Sequence, residues 1–191
     1  MPRAGLSREV VVALAVELVA GSWSGPAGLS LSAVAARAGV ATPSLYKHVG
    51  SLAELRAEVA LVGVRELTRA CTAAALGRQG EDALRALARA VRGFAAERPG
   101  LYAAAQVDAA TGSTPELAAA AGDLVGVFTA VLHGFGVPPE RHVDAVRSVR
   151  AAVHGFAVLE AQGGFQLPDD VDGSLETLLD VLAAGLRSLG P

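Results

Sequence analysis

Cysteine, aromatic side chains and lysine are scarce in this sequence. Cys71 is the only cysteine in 191 residues, which excludes an intrachain disulfide framework and a cysteine-based zinc site and indicates a reducing compartment. Aromatic residues make up 4% of the chain, whereas 52% of its residues are hydrophobic and 40 are alanine. This composition excludes intrinsic disorder, and its excess of alanine and leucine favours helices over β-strands.

Long uncharged segments that could cross a membrane are also missing. The longest, residues 18–36, contains Gly21, Gly25, Pro26 and Gly28. Residues 124–139 are too few to cross a hydrocarbon layer of roughly 30 Å as a helix. No basic and then apolar leader with a cleavage site opens the sequence. We therefore expect a cytoplasmic protein with no membrane partner.

Charge is divided unevenly along the chain, whose net charge is −3. The first 50 residues carry four basic and two acidic side chains, and the rest of the chain carries 12 basic and 17 acidic ones. A mildly basic N-terminal part on an acidic body is compatible with nucleic-acid binding by that part. The asymmetry alone does not establish such binding, because it also occurs without any function.

Glycines, prolines and capping residues divide the chain into helical segments. Ser7 is placed to cap the first helix, Ser51 and Glu54 match a capping box at the start of a long helix, and Asp172 is placed to cap the last. A plain loop is predicted after the first helix, from Gly21 onward. The later helices are predicted at residues 31–38, 42–48, 51–76, 81–97, 101–110, 115 to 134 or 136, 139–162 and 172–189. The predicted fold class is therefore all-α, with about nine helices and no convincing strand.

Residues 31–49 meet the steric demands of a helix-turn-helix. Two short helices that cross steeply need a very small residue where they touch, which Ala35 supplies, and a turn residue that tolerates positive φ, which Gly39 supplies. Thr42 as N-cap and Pro43 at the next position predict the start of the second helix. The two crossing helices leave a wedge-shaped space between them, and the apolar residues that would fill this wedge are Val34, Ala38, Val40 and Leu45.

The second short helix is predicted to have one compact polar face. On a helical projection Leu45 points inward, whereas Pro43 and Lys47, the only lysine in the chain, point away from the core. Ser44 and Tyr46 flank them. A short helix with such a face suits the major groove of DNA, where side chains reach base edges and phosphates. The alternative is a surface corner between two helices that contacts no DNA.

A series of short motifs runs through residues 6–67. They are Leu29-Ser30-Leu31, Val34-Ala35, Ala38-Gly39-Val40, Ser44-Leu45-Tyr46, His48, Ser51 and Leu55. Together they resemble the DNA-binding domain of TetR/AcrR-type transcriptional regulators. The resemblance implies a helix-turn-helix domain at residues 1–55 and a ligand-binding and dimerisation domain at 56–191. It also implies a repressor that a small, largely apolar effector releases from its operator; the alternative is a helical small-molecule-binding or adaptor protein that does not bind DNA.

The resemblance assigns DNA-binding roles to nine residues. Ser30 and Ser32 are expected to contact phosphate or a base edge. We expect base contacts from Ala41, Thr42, Pro43 and Ser44. We expect contacts with the DNA backbone from Tyr46, Lys47 and His48. His48 has an alternative role as a capping or wedge-filling side chain.

Two positions depart from the family pattern. Leu52 stands where the family usually has a lysine that grips phosphate, and Ala41 stands where many members have a polar residue. DNA affinity is therefore expected to be modest, or to depend more on Arg37, Arg3 and Arg8.

The last two predicted helices are apolar on more than one side. Such helices need cover on more than one face, either inside the monomer or from a second subunit. The resemblance implies that they pair in a homodimer, whose two-fold symmetry suits a palindromic operator of double-stranded DNA. The candidate interface residues are Val146, Val149, Val153, Phe156, Leu178, Leu182 and Leu186.

A His-Gly step before Leu-Glu, formed by His154-Gly155 and Leu159-Glu160, resembles the C-terminal domain of one branch of the same family. Gly155 suits a close approach of two helices. For His154, burial in the subunit interface or a bond to a carboxylate is favoured over contact with a ligand.

The resemblance implies that the effector binds among the helices between the helix-turn-helix domain and the last two helices. A ligand pressed against the short helix between Pro99 and Thr114 would swing the long helix from Ser51 and change the separation of the two recognition helices. The candidate pocket residues are Phe94, Tyr102, Gln106, Phe128, Leu132 and His133. Their composition suits a largely apolar small molecule, although each could equally pack in the core.

Patterns typical of catalysis and of metal binding are missing. The four histidines are isolated, without the spacing of a zinc site, and no glycine-rich phosphate loop follows a strand. Asp169, Asp170 and Asp172 lack the glycine and the distant glutamate of a calcium loop, so they are interpreted as a solvated helix start. We therefore expect no enzyme, no metal and no cofactor.

Overall fold

The computed structural model describes residues 5–106, 114–168 and 170–190. Within these ranges it contains nine α-helices and no β-strand, which confirms the all-α prediction. Helices α1 to α9 span Arg8–Val19, Leu31–Ala38, Thr42–Leu45, Leu52–Ala75, Gly80–Glu97, Pro99–Ala105, Pro115–His133, His142–Ala161 and Val171–Arg187. Two 3-10 turns, Gly25–Gly28 and Pro139–Arg141, precede α2 and α8.

Two of the predicted helix starts are confirmed by their hydrogen bonds. Ser7 accepts from the N–H of Val10 at the start of α1. At the start of α4, the Ser51 hydroxyl accepts from the N–H of Glu54 at 3.0 Å. The Glu54 carboxylate turns back and accepts from the N–H of Gly50 at 2.7 Å, one residue before the position that a capping box uses. The long helix therefore begins where local sequence chemistry places it.

Several predicted boundaries are wrong. Asp172 does not cap the last helix, because Asp170 is its N-cap and accepts from the N–H of Asp172 at 3.0 Å. The loop after α1 is not plain, since it contains the first 3-10 turn. α3 ends at Leu45 rather than at residue 48, and α8 begins at His142. The predicted helix at 101–110 begins earlier, at Pro99, and its residues 107–110 lie outside the described ranges.

The chain forms two compact units. Unit one comprises residues 1–66 and 97–121, and unit two comprises residues 67–96 and 122–191. The units are defined by contacts between residues, so their boundaries need not match those of functional domains. Residues of α4 and of α7 belong to both units. The functional domains placed at 1–55 and 56–191 stay a prediction.

In unit one, α6 packs directly on the backbone of its neighbours. A Cβ at Gly100 would overlap the carbonyl oxygen of Val19, and a Cβ at Gly63 would overlap that of Leu101, so both glycines are required by close contact. Tyr102, which is 2% exposed, meets the ring of Trp23 edge-on with the ring centroids 6.0 Å apart. Helix α6 is thereby fixed against the end of α1 and the 3-10 turn.

In unit two, arginines of α5 tie that helix to α8 and α9. Arg85 donates to Glu176 at 2.7 Å and also pairs with Asp180, both on α9. Arg92 pairs with Glu160 on α8 and donates to Asp172 at 2.6 Å. The buried side chains that pack between these helices include Leu84, Leu87, Val91, Val149, Val153, Leu175 and Leu179.

Helix α7 is long and apolar enough to cross a membrane by length and composition alone. Only 33% of its most hydrophobic stretch is buried, and its exposed side carries Gly122, Val125 and Gly126. A core helix of a water-soluble protein passes the same test, so one such helix is weak support for a membrane partner. The expectation of no membrane partner stays a prediction.

Candidate nucleic-acid interface

The turn between α2 and α3 has the backbone that Gly39 predicts. Gly39 adopts φ 68° and ψ 32°, the left-handed conformation, at the C-cap of α2. The N–H of Val40 then donates to the carbonyl of Ala35 at 3.0 Å. Every residue with positive φ in the described part of the chain is a glycine, so this turn uses the residue type that adopts it without strain.

The apolar wedge inside the turn also forms as predicted. Ala35 is 2% exposed and Val34 is fully buried, so α2 turns one very small and one larger apolar residue inward. Leu45 is fully buried and Val49 is 1% exposed. Val40 closes the wedge only in part, since it is half-buried. The α2–α3 pair is therefore held by a small apolar core of its own.

The outer face of α3 is open. Pro43 and Lys47 are exposed, and Tyr46 is 57% exposed, whereas Thr42 and Ser44 are half-buried. Thr42 is not the N-cap: that position belongs to Ala41, which offers no side-chain hydrogen bond. The chain continues past the short helix as a turn in which the N–H of His48 donates to the carbonyl of Leu45 at 2.8 Å.

The two serines assigned to the start of α2 are partly engaged within the chain. The Ser30 hydroxyl caps α2 by accepting from the N–H of Ala33 at 3.2 Å, and it lies 3.1 Å from the Ser32 hydroxyl. Ser32 is exposed and Ser30 is half-buried. A phosphate contact by these serines stays a prediction.

Two of the three arginines expected to assist DNA binding, Arg8 and Arg37, form ion pairs with carboxylates of the chain. Arg8 donates to Glu54 at 2.5 Å and to Glu58 at 2.6 Å, which joins α1 to the start of α4. The hydrogen bond from Arg8, with that from the N–H of Gly50, holds the pKa of Glu54 below its ordinary value. Arg37 pairs with Glu17 at 3.0 Å. Arg3 lies outside the described ranges.

Lys47 differs from these arginines. It is exposed and forms no ion pair with any carboxylate in the parts of the chain that the structure describes. His48 beside it is half-buried, and its carbonyl oxygen accepts from Arg8 at 3.4 Å. The exposed cation in the turn after α3 is thus available to an external anion.

Two positioning arginines were missed by sequence reasoning. Arg8 holds α1 against α4, and Arg56 on α4 donates to the carbonyls of Ala27 and Leu29 at 3.1 and 3.2 Å, which fixes the approach to α2. Glu54 and Glu58 are four residues apart on one helix, a spacing that gathers two carboxylates on one face. That spacing is the one signal from which the Arg8 contact could have been suspected.

The C-terminal half of the chain matches a family model described as the tetracyclin repressor-like C-terminal domain, over residues 84–182. The HTH-type transcriptional regulator YobS of Bacillus subtilis is 32% identical over 186 residues, which cover 97% of this chain and 95% of that protein. The HTH-type transcriptional regulator Rv0681 of Mycobacterium tuberculosis is 33% identical, with 88% and 75% covered.

The chain belongs to the TetR family of transcriptional regulators. Its fold agrees with that of SCO7222, a TetR from Streptomyces coelicolor, with a TM-score of 0.73, 20% identity, and 97% and 100% of the two chains covered. BioQ with its double-stranded DNA operator gives a TM-score of 0.67 at 22% identity, over 96% and 99%. A TetR variant from Acinetobacter baumannii in complex with minocycline gives 0.68 at 24%, over 97% and 99%.

For this TetR-family chain, the residues predicted to form an effector pocket are mostly core residues. Phe94, Phe128 and Leu132 are 9%, 6% and 1% exposed and lie in unit two, as does the exposed His133. Tyr102 lies in unit one, where Gln106 donates to its carbonyl at 3.3 Å. The structure therefore groups Tyr102 with Gln106 and places the other four candidates in the second unit.

A groove of about 290 Å³ in unit two includes one of these candidates, His133. Its other polar lining residues, Arg78 and Gln79, were not predicted. The His133 ring meets that of His142 edge-on with the centroids 5.1 Å apart, and the His142 imidazole bonds to the carbonyl of Val137. This pair of histidines fixes the turn after α7.

The predicted dimer residues divide into buried and half-buried side chains. Leu178 and Leu182 are half-buried and retain surface for a partner. The others, Val146, Val149, Val153, Phe156 and Leu186, are each less than 10% exposed within the single chain, which gives them a core role. Their contact with a partner subunit stays a prediction.

The exposed apolar side chains of α8 and α9 are different residues from the predicted ones. Val143, Leu159 and Val181 are 59%, 51% and 65% exposed. A Cβ added at Gly155 on α8 or Gly185 on α9 would meet nothing within 4 Å. An exposed apolar face with such open glycines allows the backbone of another helix to approach closely.

Burial shifts the pKa of two titratable side chains outside the helix-turn-helix, His154 and Cys71. Burial lowers the pKa of the half-buried His154, and the charge of Arg150 lowers it further. Burial raises the pKa of the Cys71 thiol to about 12, so Cys71 is a neutral core residue at physiological pH. Across the described ranges, no group of three or more His, Cys, Asp or Glu side chains is placed to hold a metal ion.

Proposed function

We propose that this TetR-family chain is a repressor that binds operator DNA through α3 and the start of α2. The observation that carries the proposal is the open surface of α3 and of the turn after it, where Pro43, Tyr46 and Lys47 are exposed and Lys47 has no ion-pair partner among the described residues. A lysine that is free of internal carboxylates neutralises phosphate, and half-exposed side chains at the start of the helix, such as Ser44, reach base edges. The related fold of BioQ in complex with its operator supports the assignment.

The proposed active species is a homodimer on a palindromic operator. One short recognition helix reads few base pairs, and a two-fold pair doubles the site, with half-site centres roughly 34–36 Å apart or more. Leu159 on α8 and Val181 on α9 are exposed and each lies one turn from an open glycine, Gly155 or Gly185, so they supply an apolar surface for the second subunit. Leu178 and Leu182 border the same surface.

The proposed effector is a small, largely apolar molecule that changes the affinity for DNA. The minocycline complex of a related fold supports small-molecule binding as a property of this architecture. To act as an inducer, the molecule must bind the DNA-free arrangement more tightly than the DNA-bound one. The expected location of the protein is the cytoplasm, where its operator lies, and no catalytic role is proposed.

The test is selection of bound sequences from a random pool of duplex DNA by the purified full-length protein. A repressor of this kind enriches one palindromic sequence, and its affinity for that sequence falls steeply as salt rises. Failure to enrich any sequence, together with a flat salt dependence, would exclude DNA binding and favour the helical adaptor.

A pair of variants tests whether α3 is the reading helix. Lys47→Ala removes one phosphate contact per subunit, so it weakens binding to all sequences and reduces the salt slope by about one per subunit. Arg69→Ala, an exposed cation in the second half of α4, is the matched control and leaves the slope unchanged. Equal slopes for wild type and Lys47→Ala would refute the role given to α3.

A further inference from the structure

Arg56 on α4 carries a buried polar atom that has no hydrogen-bond partner, its Nε. The side chain is half-buried, and it forms no ion pair with any carboxylate in the described ranges. A methionine would fill a similar space without an unsatisfied donor or an uncompensated charge. Packing alone therefore does not account for an arginine at this position.

The Nη2 group of Arg56 bonds the segment that leads into α2. It donates to the carbonyl of Ala27 at 3.1 Å and to that of Leu29 at 3.2 Å. Leu29 is 4% exposed, and the next residue, Ser30, is the N-cap of α2. Arg56 therefore holds the backbone directly before the two serines that are expected to meet phosphate, Ser30 and Ser32.

The other end of this segment is held by close contact with α6. A Cβ at Gly25 would lie 2.9 Å from the Cβ of Ala103 and 3.0 Å from the carbonyl oxygen of Gly100, so the first 3-10 turn begins directly against α6. The two hydrogen bonds of Arg56 join the later part of the segment to α4. Losing Arg56 would therefore loosen the half nearest α2 and leave the first half held.

Of the two serines, Ser32 has the contact that depends most on this placement. Its side chain is exposed, whereas the Ser30 hydroxyl already accepts from the N–H of Ala33 at 3.2 Å. A hydroxyl bonds a phosphate oxygen only at about 2.5–3.0 Å, so a shift of about 1 Å at the start of α2 is enough to lose the bond. The ammonium of Lys47 stands on a flexible four-carbon stem and tolerates the same shift.

We propose that Arg56 is a positioning residue for DNA binding, which holds the start of α2 where the Ser32 hydroxyl meets a phosphate of the operator. This inference rests on the proposed function, in which α3 and the start of α2 bind DNA. Arg56 acts through Ser32 and not by touching phosphate, because its Nη2 is engaged by two carbonyls and its Nε is buried. It contributes geometry to the interface, whereas Lys47 contributes charge.

The test is a double-mutant cycle on the full-length protein, measured as affinity for the palindromic sequence enriched from random duplex DNA. Ser32→Ala removes one hydrogen bond to a charged group per subunit and is expected to weaken binding roughly tenfold or more. Arg56→Met is expected to weaken binding by about as much, because it misplaces the same hydroxyl. The double variant is expected to bind no more weakly than Arg56→Met alone, since its second change removes a contact that is already lost.

The salt dependence of the same binding separates positioning from charge. Arg56→Met is expected to leave the salt slope unchanged, because no cation leaves a phosphate, whereas Lys47→Ala lowers it by about one per subunit. Arg56→Lys is expected to restore part of the affinity, since one ammonium has enough donors for both carbonyls. Arg78→Met is the matched control: Arg78 also donates to a backbone carbonyl, that of Ala74 at 3.0 Å, but lies outside the helix-turn-helix.

Three results would overturn this inference alone: wild-type affinity in folded Arg56→Met or in Ser32→Ala, additive losses in the double variant, or a lower salt slope for Arg56→Met. The last would show that the guanidinium binds phosphate directly. Thermal melting by circular dichroism identifies the folded variants, and Arg56→Gln, which cannot reach both carbonyls, replaces Arg56→Met in the cycle if that variant does not fold. A wild-type protein that enriches no sequence would instead overturn the proposed function, and this inference with it.

Discussion

Replacing Gly39 tests the backbone conformation of the helix-turn-helix alone, because no side-chain contact changes with it. Gly39 has φ 68°, and a Cβ built there would meet nothing within 4 Å, so Gly39→Ala introduces no clash. The left-handed conformation costs an L-residue roughly 1–2 kcal/mol. Part of this is offset because alanine also restricts the unfolded chain, by about 0.4–1 kcal/mol. The expected net loss is about 1 kcal/mol, which lowers the melting temperature by about 2–4 °C in a protein of this size.

Two further variants make the prediction specific to the turn. Gly39→Asn is expected to lose less stability than Gly39→Ala, because asparagine tolerates the left-handed region better than other residues with a side chain. Gly93→Ala is the matched control: Gly93 lies inside α5, a Cβ there also meets nothing within 4 Å, and its φ is not positive. That change is expected to raise stability by about 0.5–1 kcal/mol.

The assay is urea unfolding of the three variants and wild type, followed by helical circular dichroism. Gly39→Ala and Gly93→Ala should shift the midpoint in opposite directions with an unchanged m-value. If Gly39→Ala is as stable as wild type, the turn does not require the left-handed conformation, and the described geometry of α2 and α3 is refuted.

Three other changes test separate parts of the structure. Ser44→Ala is expected to change which sequences are enriched from random DNA while leaving the salt slope unchanged, since it removes a base-reading hydroxyl and no charge. Gly185→Trp is expected to convert the proposed dimer to a monomer in sedimentation, because a Cβ at Gly185 on α9 lies in open space that the second subunit would fill. Gly126→Trp, which is also in open space but lies on α7, is the control and should leave the dimer intact. A dimer that survives Gly185→Trp would exclude this face of α9 from the interface. Because the folded pKa of Glu54 lies below its ordinary value of 4.5, its pairing with Arg8 stabilises the protein above that pH and is lost as pH falls below it. Glu54→Gln should therefore flatten the acid side of the stability profile, and a profile identical to wild type would contradict the Arg8 contact.

The parts of the fold that depend on neighbouring residues were predictable from the sequence. Gly39 and the residues of the wedge lie within 15 positions of one another, and the capping box spans Ser51 to Glu54, so local rules suffice. The length of α3 was overestimated because periodicity does not show that the helix stops at Leu45, whose carbonyl accepts from the N–H of both His48 and Val49 in the turn that follows.

The parts that depend on contacts distant in sequence were not predictable. Arg8 pairs with residues 46 and 50 positions away, and no periodic pattern reports such a contact. Tyr102 was a candidate for the effector pocket because it is aromatic, yet the close approach of Gly63 and Gly100 to their neighbours fixes α6 so that Tyr102 is buried against Trp23. Side-chain type alone does not distinguish a core residue from a pocket residue.

Counting charges overstates how basic the proposed DNA-binding surface is. The first 50 residues carry an excess of two positive charges, but Arg8 and Arg37 are neutralised by carboxylates that come from α4 and α1. Among the described residues of the proposed DNA-binding surface, Lys47 is then the main exposed cation without a carboxylate partner, and Leu52 adds none. Since sequence-independent affinity grows with the number of phosphates neutralised, each subunit alone binds DNA weakly. In the proposed homodimer, tight binding therefore requires that both subunits engage at once, and an effector is proposed to act through the spacing of the two recognition helices rather than through their charge.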